Sequence, residues 1–129
     1  MKLHHKGIAV SDLNKVKQKY QNLGYEVINE TYDEIQNAEL VLMRKREDVI
    51  ELIYSSETES PVYNLCQKAE ETTYHKCYQT NNIQNSIEEL KKQGYIIISE
   101  IVDAKLFQGK ICFMYSKKEG VIELYEIRI

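Results

Sequence analysis

The chain has no tryptophan, one proline, two phenylalanines and three cysteines in 129 residues. It also has no long apolar run, and its charges nearly cancel, at 17 Lys+Arg against 20 Asp+Glu. Each scarcity removes a class. One Pro and five Gly exclude a low-complexity or disordered chain. Apolar runs of a few residues leave nothing to span a bilayer as a helix. A net charge of −3 gives no electrostatic footprint for nucleic acid. Cys66, Cys77 and Cys112 are odd in number and match no zinc-ligand spacing, so reduced, mostly buried thiols are expected. The stretch MKLHHKGIAV carries charges and no apolar segment of signal-peptide type, so the expected location is cytoplasmic. The length suits one domain with a real core.

What the chain does have is itself, twice. Residues 3–30 can be laid over residues 73–100 at an offset of 70 without a gap. His5/His75, Lys6/Lys76, Gly24/Gly94, Tyr25/Tyr95, Ile28/Ile98 and Glu30/Glu100 are then identical. Further on, VIEL at 49–52 returns at 121–124. Two copies of this length are too few and too long for a solenoid, and they read as a duplicated α+β module.

Both copies carry the same local signals. Residues 3–10 are β-rich. Ser11 or Asp12 can cap a helix whose apolar face is Leu13, Val16, Tyr20 and Leu23, and Gly24 follows as the terminating glycine. Strands are expected at 25–30, 39–44 and 49–54. The second copy predicts a strand at 74–80 and an Asn82-capped helix with Ile83, Ile87 and Leu90. Strands at 95–102, 110–115 and 121–127 complete it. The order is βαβββ twice: module one spans 1–54, a linker 55–72, module two 73–129. Pro61 is expected to open a short linker helix through Val62, Leu65 and Cys66.

Four polar residues recur at matched places. His5 and His75 lie in the first strand of each copy. Glu51 and Glu123 lie in the last, each between two aliphatic neighbours, so alternation turns them to the opposite face of the sheet. If the sheets curve round one cleft, two imidazoles and two carboxylates converge there. That donor set suits Zn, Co, Ni, Mn or Fe, and a metal would account for inward-facing carboxylates. The mirrored Lys6 and Lys76, one residue along, should point away from that face.

Paired βαβββ modules with His on the first strand and Glu on the last resemble the vicinal oxygen chelate superfamily. The stretches LHHKGIAVSDLNKVKQKYQNLGYEV, VIELIYS, YHKCYQTNNIQNSIEELKKQGY and GVIELYE are most similar to its methylmalonyl-CoA epimerase-like branch. The resemblance implies an α+β fold whose two tandem modules form one open, barrel-like cleft of curved mixed sheets. It implies one divalent metal held by His5, Glu51, His75 and Glu123, although in the epimerases a Gln or a non-ligand can stand at the position of Glu51. It implies a catalytic carboxylate in the loop 31–38, where Glu34 is the nearest match and Asp33 and Glu39 are close by, with Glu123 as a second catalytic carboxylate. The implied reaction is metal-dependent proton abstraction next to a carbonyl, with epimerisation of an acyl-CoA thioester. Lys105 and Lys110, in the segment 103–110, are candidates for its phosphates. The alternatives are a glyoxalase I-like lactoylglutathione lyase, a ring-cleaving dioxygenase, or a metal-free small-molecule binding protein of resistance type. No nucleic-acid or membrane partner is expected, and a homodimer through sheet edges is compatible with the pattern.

Overall fold

The computed structural model describes residues 1–105 and 108–127. Leu106 and Phe107, inside the segment 103–110, lie outside the described residues. The chain runs β1 (Lys2–Val10), α1 (Leu13–Asn22), β2 (Glu26–Asp33), β3 (Ala38–Lys45), β4 (Asp48–Tyr54) and α2 (Tyr63–Lys68). It continues through β5 (Glu71–Thr80), α3 (Ile83–Lys92), β6 (Ile96–Ile97), β7 (Val102–Asp103), β8 (Gly109–Ser116) and β9 (Gly120–Ile127). No described helix is long and apolar enough to cross a membrane. Two compact units result, one of His5–Tyr74 and one of Met1–His4 with His75–Ile129.

In the His5–Tyr74 unit the strands lie in the order β2-β3-β4-β1. The β3 strand is antiparallel to both neighbours, and β4 returns parallel to β1. Helix α1 covers one face. Its Val16 is fully buried against Val10, Val41, Met43, Ile50 and Leu52. Asp12 caps the helix by accepting from the Lys15 N–H at 3.1 Å, which satisfies one of the amides a helix start leaves over. The expected apolar face is shorter than its spacing suggests, because Leu23 is 52% exposed. Leu23 already sits at the C-cap, where the chain turns away at Gly24, φ +100°.

The other unit repeats the plan with β5-β9-β8-β6, and β7 also pairs with β8. Helix α3 buries Ile83, Ile87 and Leu90 against Cys112, Met114, Ile122 and Leu124. Asn82 accepts from the Asn85 N–H at 3.0 Å. Gly94, φ +95°, follows this helix as Gly24 follows α1.

One expected element is broken. The segment 95–102 forms two strands of two residues instead of one. The Phe113 N–H on β8 donates to the Ser99 hydroxyl at 2.7 Å, so a side chain takes the place of a ladder carbonyl and the run ends there. The linker helix begins at Tyr63, with Val62 at its N-cap and Pro61 just before it. All three cysteines are buried, and none of them forms a disulfide.

Candidate metal centre

Strand alternation and register place the four mirrored residues. In the His5–Tyr74 unit, Ile8, Ile50 and Leu52 pack under α1. The residues between them therefore face the other way. Gly7 pairs with Glu51 and Ile8 with Leu52, so His5, two residues before Gly7, shares the face of Glu51. The two side chains meet there, with His5 Nε2 to Glu51 Oε2 at 3.9 Å. In the other unit, Tyr78, Ile122 and Leu124 belong to the core under α3, and Cys77 pairs with Glu123. His75 and Glu123 share the opposite face, with Nε2 to Oε1 at 2.9 Å.

All four are buried: His5 is 1% exposed, Glu51 5%, His75 3% and Glu123 4%. Removing a carboxylate from water costs several kcal/mol unless a cation or hydrogen-bond donors offset it. Each unit has thus invested a buried carboxylate beside a buried imidazole at the same sheet position. Imidazole nitrogen and carboxylate oxygen are the donors that borderline divalent ions accept, so the residues fit a resident metal. Lys6 and Lys76 are exposed, and alternation turns them to the opposite face from the histidines.

The loop carboxylates separate by role. Asp33 is 7% exposed and its oxygens accept from the Ile35 N–H at 2.9 Å and from Gln36 Nε2 at 2.7 Å. The Ser60 hydroxyl donates to the Gln36 carbonyl at 2.5 Å, and the Ser55 hydroxyl to the Asn37 carbonyl at 2.5 Å. Asp33 is therefore part of the turn's framework. Glu34, next to it, is exposed on that turn, and Glu39 is exposed on β3. Lys105 and Lys110 are both exposed.

Sequence reasoning missed Phe113. Its ring stands edge-on to the His75 imidazole, with centroids 5.4 Å apart and planes at 84°. On β8 it is the register partner of Glu123. The alternation in ICFMY, with Cys112 and Met114 going to the core, carried the signal that could have found it.

Comparison with known proteins follows the same lines. The human mitochondrial methylmalonyl-CoA epimerase is 27% identical over 121 residues, covering 92% of this chain and 69% of that protein. The crystal structure of a methylmalonyl-CoA epimerase from Mycobacterium tuberculosis superposes with a TM-score of 0.86 at 22% identity, covering 99% of this chain and 89% of that one. A methylmalonyl-CoA epimerase in complex with methylmalonyl-CoA and NH4+ superposes with a TM-score of 0.85 at 19% identity, covering 98% and 94%. The Glyoxalase/Bleomycin resistance protein/Dioxygenase superfamily matches at residues 4–124. The duplicated sheet units and this match over nearly the whole chain make the protein a member of that superfamily, similar in sequence and fold to its methylmalonyl-CoA epimerases.

Proposed function

We propose that the protein is a metal-dependent epimerase that exchanges the proton α to a carbonyl in an acyl-CoA thioester of the methylmalonyl type. The observation that carries the reading is the pair of buried His–Glu couples at matched sheet positions, His5 with Glu51 and His75 with Glu123. The epimerases similar in sequence and fold, one of them in complex with methylmalonyl-CoA, support the substrate class.

In this reading His5, Glu51, His75 and Glu123 together hold one divalent ion. When bound, the ion stabilises the negative charge that develops on the thioester oxygen as the α proton leaves. Glu34 takes that proton. Its carboxylate stands in water on a turn that Asp33, Ser55 and Ser60 pin by hydrogen bonds, so it is accessible while its backbone is held. The α C–H bond breaks with its electron pair left on the substrate, and a proton returned to the other face of the carbon inverts it. Glu123 is the second carboxylate of the reaction besides serving as a ligand. Burial of the four donors excludes water from them, which strengthens their hold on charge.

The test is deuterium exchange. In heavy water the Co- or Mn-loaded protein should wash deuterium into the α position of methylmalonyl-CoA. Glu34→Gln should retain the metal and lose exchange by about 10²-fold or more. Turnover of a methylglyoxal–thiol adduct without exchange into the thioester would replace this reading with lactoylglutathione lyase chemistry. Full exchange in Glu34→Gln would remove Glu34 from the mechanism.

A further inference from the structure

The two units are not equivalent where their carboxylates are covered. The cross-strand partner of Glu51 on β3 is Leu42, a side chain left only 5% exposed. The partner of Glu123 on β8 is Phe113, which is half-buried. Directly opposed residues of antiparallel strands point to one face with their Cβ atoms about 5 Å apart. Phe113 therefore lies on the same face as Glu123, and its ring is T-shaped to that of His75. Ile111 and Tyr115 follow on the same face by alternation. Ile111 is half-buried and Tyr115 is 41% exposed. Cys112 and Met114 between them are fully buried in the core under α3.

The strand is fixed at this point. The Phe113 N–H donates to Ser99 Oγ at 2.7 Å, and its carbonyl accepts from the Ile98 N–H at 2.9 Å. The ring therefore sits on an anchored backbone with an imidazole on one side. Its remaining surface is apolar and lies beside the buried His75–Glu123 pair.

We infer that Phe113 is the specificity-determining residue for the substituent on the reacting carbon, its ring setting how large an alkyl group fits beside His75 and Glu123. The inference rests on the epimerase reading above. A carbon whose proton is removed next to polar donors must still lodge its alkyl group against something apolar, and Phe113 offers that surface in contact with the pair. A pocket of this kind discriminates one methylene by roughly 10- to 200-fold. Removing the ring should relax the upper size limit, and enlarging it should lower that limit.

The experiment compares exchange at the α carbon of malonyl-, methylmalonyl- and ethylmalonyl-CoA, and their dissociation constants by calorimetry, for the metal-loaded wild type, Phe113→Ala and Phe113→Trp. Phe113→Ala should raise the ethylmalonyl-to-methylmalonyl ratio by about tenfold or more in both readouts. Phe113→Trp should lose methylmalonyl-CoA while keeping exchange into unsubstituted malonyl-CoA. Phe113→Leu supplies the ratio if the alanine variant does not fold. Ratios within about twofold of wild type in every folded variant, with wild-type exchange intact, overturn the role of Phe113 alone. Absence of exchange in the wild type with all three thioesters overturns the epimerase reading, and this inference with it.

Discussion

At the scale of single residues, the two units rely on carboxylates whose partners lie far off in the chain. Glu71 accepts from the Tyr20 hydroxyl at 2.6 Å and pairs with Lys19. Burial alone would raise its pKa, but the bonds from Lys19 and Tyr20 outweigh burial and hold it below the ordinary value of 4.5. Glu119 accepts from Tyr78 and Tyr95, each at 2.5 Å, and these bonds also lower its pKa. The same contacts push Tyr78 up to about 12. A carboxylate with a depressed folded pKa adds stability that is complete above its unfolded value, near 4.5, and is lost as pH falls through the folded value. Denaturant titrations should therefore show the wild type losing more stability between pH 6 and pH 3 than the double variant Glu71→Gln, Glu119→Gln. Equal losses in the two proteins would show that these carboxylates stay protonation-neutral toward folding. The Gly-Tyr repeat at 24–25 and 94–95 was visible in the sequence, but its use was not. Tyr25 bonds Asp48 and Tyr95 bonds Glu119, partners 23 and 24 residues away that no local pattern encodes.

At the scale of elements, local chemistry was legible wherever it was self-contained. Both helix starts are where a short polar side chain precedes a three- and four-residue apolar spacing, and both helices are followed by the glycine of the repeat. Asn82 illustrates the energetic size of such a signal. Asn82→Ala removes the bond to the Asn85 N–H and should cost about 1 kcal/mol, read as a lower denaturation midpoint with unchanged slope. A loss under a few tenths of a kcal/mol would mean that Glu126, which accepts from the Ile83 N–H at 2.6 Å, suffices as the cap. Where an element depends on a neighbour, the sequence was silent. YIIISEIV carries every mark of a strand, yet it divides after Ile97 because Ser99 intercepts the Phe113 amide. Mirrored Glu51 and Glu123 were legible because a charge flanked by aliphatic residues in a short strand stands out against period-two alternation. Phe113 was not, because one aromatic in an apolar strand looks like core until register sets it opposite a carboxylate.

At the scale of the whole molecule, duplication is the organising fact. Each unit repeats the same strand order and keeps one buried His–Glu couple on the face away from its helix. The central proposal is that both couples serve one divalent ion, which makes each couple alone insufficient. Metal stoichiometry tests this most directly. Titration of Co or Mn into the metal-free protein, followed by calorimetry and elemental analysis, should give one ion per chain. His5→Ala and His75→Ala, each folded by circular dichroism, should each abolish tight binding. Two ions per chain, tight binding that survives loss of either histidine, or no binding to the wild type would contradict a single shared centre.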